Sequence, residues 1–284
     1  MTSRWAAAWL PLGAGARGAL AALVGLLGTA AAAPPRDEVV LHFLANEGYA
    51  IEAGGQTVLV DALHTVGRPE RGELPPELHR RMLEGRPPFR RVRLVLVSHP
   101  HADHLDPEVA AAFLKRHPES VLASSREVLE RLRRSPHHPS FRDRLRELPA
   151  APATWSGGDV RVTAFPLPHV GSHLFPEPVL AHLLEVGGLR ILHVGDAELA
   201  DDHLAGLELR SRNIDVAVLP YWALVREGAP ERMSRLVGSR KIVAMRLPVA
   251  SLAAARERVK KAFPQALILS RPLESARLGA RAPR

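Results

Sequence analysis

Within Ser98-His99-Pro100-His101-Ala102-Asp103-His104-Leu105-Asp106, three imidazoles and two carboxylates fall inside nine residues. Neutral imidazole and carboxylate at this density suit Zn or a similar divalent ion, which binds such groups at about 2.0–2.2 Å. Side chains alternate along extended backbone, so His99 and His101 face the same way. Beyond the turn, Asp103 and His104 can approach a neighbouring point from another side. A cation held there would lower the pKa of water toward about 7 and polarise a carbonyl or phosphoryl oxygen, which is the chemistry of metal-assisted hydrolysis.

The flanking segments show how such a cluster could be held. Arg93-Leu94-Val95-Leu96-Val97 is apolar and β-branched and reads as a buried strand. Asp106 and Pro107 read as the N-cap and first residue of a helix with Val109, Phe113 and Leu114 on its apolar side. The cluster therefore sits on a loop leaving a strand end. His169 leaves the strand at 159–166 in the same manner and is expected as a third ligand. His173, four residues on, could replace it or touch substrate. A hairpin, Val179 to Val186 and Leu189 to Val194 around Gly187-Gly188, leads to Gly195-Asp196. An aspartate directly after a glycine at a strand end can approach metals closely, and one carboxylate can bridge two ions. His182 and His193 lie inside strands and read as packed or hydrogen-bonded residues.

An earlier hairpin, Tyr49 to Ala53 and Gln56 to Val60 around Gly54-Gly55, ends at Asp61. That carboxylate could orient a ligand histidine from behind, or serve as a plain turn residue. Residues 64–91 are rich in Pro, Gly and charge, with one short helix expected from Pro75 to Leu83, and could form a wall of the site or a solvated connection. His137-His138 reads as a surface pair. The later helices, roughly Asp201 to Leu209, Pro230 to Val237 and Ser251 to Phe263, have apolar faces suited to covering sheets. Ile214 to Trp222 reads as a strand leading to a pocket rim, where Tyr221 and Trp222 could contact substrate or close the core. Ala266 to Ser270 reads as the last strand, and the tail from 273 to 284 as mobile.

Composition sets wider bounds. The chain has 284 residues, 46% hydrophobic and 24% charged, enough for a full core. It has no cysteine, which excludes disulfides, thiolate ligands and a lipidated leader. Residues 1–33 read as a secretory signal peptide: two arginines, an apolar stretch from Ala19 to Leu27, then small residues up to Ala33 ahead of Pro34-Pro35. The expectation is a soluble periplasmic or secreted protein, the alternative an uncleaved N-terminal anchor. The formal net charge of +8 is nearly all arginine, with few aromatics interleaved, so nucleic-acid binding has little support while an anionic small-molecule substrate is compatible. A single domain over 34–284 is expected, and oligomeric state is not legible.

The motif His99-x-His101-x-Asp103-His104, followed in order by His169 and Gly195-Asp196, resembles the metallo-β-lactamase-fold hydrolases, in particular their lactonase-like and phosphodiesterase-like members. The resemblance covers nearly all of the chain beyond the leader. It implies an α/β fold, an αββα sandwich of two similar halves with one or two Zn or other divalent ions at one edge. By position it implies that His99, His101 and His169 bind the first metal. Asp103 and His104 would bind the second, with Asp196 bridging, and Asp103 would orient the nucleophile, a metal-bound hydroxide, or accept its proton. The implied substrates are esters, lactones or phosphodiesters. The family pattern also expects a last histidine after a late strand, but Lys241-Ile242-Val243-Ala244-Met245 is followed by Arg246. Arginine stays protonated and offers no lone pair, so it cannot ligate. The second site is expected to be altered: filled through the remaining ligands and water, or empty with Arg246 supplying charge or gripping an anionic substrate group. A third outcome is a catalytically silent binding protein.

Overall fold

The computed structural model describes residues 38–65, 74–149, 152–171, 173, 174 and 176–279. The expected leader at 1–33 lies outside the described residues. Among the described residues no helix is long and apolar enough to cross a membrane.

Two seven-stranded sheets form the centre. The first contains β1 (Val39–Ala45), β2 (Gly48–Ala53), β3 (Gln56–Val60), β4 (Val92–Leu96), β5 (Val121–Ser124) and β6 (Leu145–Glu147). The second contains β7 (Ala153–Gly157), β8 (Val160–Leu167), β9 (Val179–Val186), β10 (Leu189–His193), β11 (Val216–Pro220), β12 (Lys241–Met245) and β13 (Leu267–Ile268). A final strand, β14 (Ser275–Arg277), returns to the first sheet antiparallel to β1. The helices are α1 (Pro76–Leu83), α2 (Pro107–Arg116), α3 (Arg126–Arg133), α4 (Asp201–Ala205), α5 (Tyr221–Leu224), α6 (Ala229–Leu236) and α7 (Leu252–Ala262).

Both sheets follow one plan. β1, β2 and β3 pair antiparallel, then β3 to β6 pair in parallel through helical crossovers. β7 to β10 pair antiparallel, then β10 to β13 in parallel. Parallel strands need covered faces, which accounts for their continuous apolar runs. Strand alternation then divides the first sheet's residues between two layers. Leu41, Tyr49, Ile51, Val58, Val60, Leu94 and Leu96 join a core with the second sheet. Leu44, Ala50, Leu59 and Val95 pack with Leu78, Met82, Phe113 and Leu132 of α1 to α3. On the far side, Met233, Ala255 and Val259 of α6 and α7 cover the second sheet. The result is the αββα sandwich expected from the resemblance.

One consequence of this plan positions the site. β1, β3 and β4 run in one direction, as do β8, β10, β11 and β12. Residues just past their C-terminal ends include Asn46-Glu47, Asp61, the 98–106 loop, His169, Asp196 and Arg246.

Several expected boundaries differ. α4 stops at Ala205, and a short 3-10 turn, Leu209–Arg212, follows. Tyr221-Trp222 do not extend a strand but open α5, because Pro220 ends β11 without a free N–H and suits the start of a helix. The last strand is not Ala266 to Ser270: β13 spans only Leu267–Ile268, and Ser275–Arg277 of the tail expected to be mobile form β14. That strand is held by backbone bonds on both sides, Leu273 N–H to Phe43 O at 2.8 Å and Leu278 N–H to Val39 O at 2.9 Å.

Candidate metal centre

Three imidazoles converge first. His99 Nε2 lies 2.9 Å from His101 Nδ1, and the His169 ring centroid is 4.9 Å from that of His99 and 4.8 Å from that of His101. Nitrogens of all three lie within 4.8 Å of one another. Their tautomers follow from what stands behind them. The Ser98 hydroxyl donates its single proton to Asp61 Oδ2 at 2.7 Å, so at 3.0 Å it accepts from His99 Nδ1–H. His169 Nδ1–H donates to the Val170 carbonyl at 2.6 Å. In both rings Nε2 is left with its lone pair toward the others, the arrangement that orients metal-ligating histidines. Burial, reinforced by neighbouring His104, pulls His99 well below its ordinary value, and burial with His169 lowers His101, so both directions favour the neutral ring. Burial also lowers His169, but Asp196 and the Val170 carbonyl outweigh it.

Asp196 stands between two groups of side chains. Its Oδ2 is 3.6 Å from Nε2 of both His169 and His104. Burial raises this carboxyl, yet those two histidines outweigh burial and hold it well below the usual carboxylate range. Its approach depends on Gly195, which has φ +54° and where a Cβ would come within 2.7 Å of Ser98 Oγ. Three imidazole nitrogens and one anionic oxygen, with His101 half-buried and the other three buried, are the donor types of a divalent-ion site. The residues present fit such an ion.

The second group is organised around a cation already in the chain. Arg246 Nη1 is 2.8 Å from Asp196 Oδ1, 3.4 Å from Asp103 Oδ2 and 3.3 Å from His104 Nε2, and it pairs closely with Glu47 Oε1. The side chain is 3% exposed, with its guanidinium carbon 5.4 Å above the Trp222 ring. Arg246 sits at φ +54°, where a long side chain is uncommon, so surrounding contacts must hold it there. His104 is pinned from both ends, Nδ1–H to Asp61 Oδ2 at 3.0 Å and Nε2 to Glu47 Oε1 at 2.6 Å. Although burial opposes charge on His104, Glu47 and Asp61 raise it well above an ordinary imidazole. Asp61, whose burial would raise it, is driven below the usual range by His104 and also accepts Ser98 N–H at 2.7 Å.

His99, His101, Asp103, His104, His169, Asp196, Asp61 and Arg246 thus share one edge of the sandwich. His173 is exposed and outside the candidate ligand groups found among the described residues. Tyr221 lies beside Arg258, 6.0 Å from its guanidinium carbon, and packs on the core. Gripping an anionic substrate does not fit Arg246, because Nη1 is spent on the chain's own acids and the side chain is enclosed. His182 and His193 are buried as expected, and His193 has a positioning role: its Nε2–H donates to Glu47 O at 3.0 Å.

Glu47 is the residue that sequence reasoning passed over. It occupies the turn between β1 and β2, fully buried, where burial and the Asp196 carboxylate push its carboxyl well above the ordinary range. Gly48 lets that turn pack down, since a Cβ there would come within 2.8 Å of the Asp61 carbonyl oxygen. Asn46 beside it donates to Glu47 Oε1 at 3.0 Å and Asp103 Oδ2 at 3.3 Å.

Comparison with known proteins bears on the fold and the family. None of the curated proteins matches the sequence. Among solved structures, an isothiocyanate hydrolase from Delia radicum gut bacteria superposes with TM-score 0.60 at 15% identity, covering 85% of this chain and 100% of that one. A metallo hydrolase from the hyperthermophilic archaeon Ignicoccus hospitalis gives 0.58 at 17%, covering 84% and 98%. CmlA, a diiron β-hydroxylase from Streptomyces venezuelae, gives 0.57 at 12%, covering 87% of this chain and 55% of that one. At these identities the likeness is one of fold. The family model described as the β-lactamase superfamily domain matches residues 56–261, most of the chain and the site residues from Asp61 to Arg246 but not Asn46 and Glu47, and this chain belongs to that family.

Proposed function

We propose that this protein is a metal-dependent hydrolase of small molecules with a single catalytic ion, Zn or another divalent metal, held by His99, His101, His169 and Asp196. The observation carrying this reading is the convergence of three imidazoles, with their Nδ1 or Nε2 atoms within 4.8 Å, beside the Asp196 carboxylate. An ion there supplies a water of lowered pKa and polarises the electrophile. The chain's own residues do the rest. Asp103, at 13% side-chain exposure against 4% or less for Glu47, His104, His169 and Asp196, is the acid that faces the open side. In this reading Asp103 orients an attacking water or takes its proton. Arg246 supplies the positive charge that a second ion would otherwise bring, close to Asp196 and Asp103.

Ester, lactone and phosphodiester substrates are the classes proposed, each offering an oxygen for the ion to polarise; the isothiocyanate hydrolase of similar fold adds that electrophile to the panel. Export belongs to the same proposal and rests on residues 1–33; N-terminal sequencing of the mature chain tests it. Turnover of one of these classes, abolished by chelator and restored by Zn, is the expected result. The enclosed Arg246 favours one competing reading, a binding protein of this fold without catalysis. An ion bound with no turnover across the panel would establish that alternative.

A further inference from the structure

We propose that Glu47, Asp103, His104 and Asp196 form a complete four-residue site for a divalent cation, plugged by the guanidinium of the chain's own Arg246. This inference rests on the metal-dependent reading above and concerns the neighbouring position.

Around the single atom Arg246 Nη1 stand three carboxylate oxygens and one imidazole nitrogen, at 2.8 Å for Asp196, 3.4 Å for Asp103 and 3.3 Å for His104, with Glu47 in close contact. A guanidinium nitrogen carries two hydrogens and cannot serve three acid oxygens at once, whereas a divalent ion commonly takes four or more donors and would displace the proton of His104 Nε2. Ligating atoms of Glu47, Asp103 and His104 lie within 4.8 Å of one another, a grouping that does not depend on residue 246. Glu47 Oε2, fully buried, has no hydrogen-bond partner. A buried carboxyl oxygen left unpaired is costly, and inner-sphere coordination, with release of any carboxyl proton, would satisfy it. His104 is oriented for the task as His99 is: Asp61 accepts its Nδ1 proton, and Nε2 faces the cluster.

Missing a histidine at 246 therefore need not destroy the site, because the β1–β2 turn brings a carboxylate in its place. What excludes a second ion is the charge of Arg246. Removing that charge without adding any ligand opens the position.

The test is Arg246→Gly, chosen because glycine accepts φ +54° without strain. Purified wild type and variant are equilibrated with Zn and their metal content measured. Wild type is expected to hold one ion per chain and Arg246→Gly two. In the Glu47→Gln/Arg246→Gly variant the second ion should bind at least about tenfold more weakly. Cobalt substitution gives an independent reading, a second absorption component in Arg246→Gly that the double variant loses. Arg246→Gln, which keeps length and drops charge, replaces the glycine variant if circular dichroism shows that it does not fold. An unchanged ion count in a folded Arg246 variant overturns the proposal; so does a second ion indifferent to Glu47→Gln. Failure of the hydrolase reading looks different, since its single ion would be absent from wild type.

Discussion

The two halves of the site are built from the same residue types on the same strand ends, yet they hold charge in opposite ways. At His99 and His169 the rings carry their remaining protons on the outside, against Ser98 and a backbone carbonyl, and turn lone pairs inward toward His101. Around Asp103, His104 and Glu47 the interior already contains a cation. Asp196 belongs to both, reaching His169 with one oxygen and Arg246 with the other. The difference teaches that similar side chains can be left with lone pairs facing inward in one half and gathered around an internal cation in the other. The one guanidinium forms ion pairs with Glu47, Asp103 and Asp196 together, while Glu47 Oε2 and Asp196 Oδ1 are left without a hydrogen bond.

The comparison breaks most sharply at the first position. His169→Ala removes a proposed ligand that Asp196 cannot replace, and turnover should fall at least about a thousandfold, about 4 kcal/mol of barrier. Metal analysis should show the bound ion lost in parallel; a variant that keeps its ion would contradict the assignment. Asp103→Asn should behave differently. It leaves His99, His101, His169 and Asp196 intact, so the ion count should be unchanged while turnover falls about a hundredfold, the scale of a general-base contribution. Loss of the ion in Asp103→Asn would place that residue in the first position instead. Asp61→Asn is next, because Asp61 stands behind His104 directly and behind His99 through Ser98. Removing an orienting carboxylate of this kind typically costs about 10–100-fold in metal affinity, measurable by competition with a chromogenic chelator.

How legible this was in the sequence depended on range. The 98–106 loop reads directly because strand, candidate ligands and helix cap are contiguous, and Asp106 does cap α2, accepting from Glu108 N–H at 3.0 Å. His169 and Asp196 are legible as polar residues closing apolar runs. Arg246 is visible only against a family pattern, and what it touches is not visible at all: its partner Glu47 is 199 residues away. An acid in a tight turn ordinarily reads as solvated, and Asn46-Glu47-Gly48 carries no local signal to the contrary. The strand β14 escaped for another reason. Ser275-Ala276-Arg277 has no apolar pattern, because an edge strand can be held by backbone bonds to its neighbour.

The smallest expected effect sharpens the comparison at the point where both halves meet a common support. Ser98 Oγ donates to Asp61 and lies 3.0 Å from His99 Nδ1 and 3.1 Å from His104 Nδ1, so one hydroxyl touches both positions. Ser98→Ala keeps the backbone N–H to Asp61 Oδ1 and the His104 contact to Asp61 Oδ2, so the acid stays paired. Only His99 loses its acceptor. The stability cost should be about 1–2 kcal/mol by denaturant titration of the metal-free protein, the scale of one buried donor left unsatisfied. Because that donor belongs to the first position, Ser98→Ala should weaken the ion bound there while leaving the Arg246 cluster unchanged. An equal loss of stability in an Arg246→Gly background would show that the shared hydroxyl supports the first position independently of the guanidinium, and a smaller loss would show that the two positions are coupled through it.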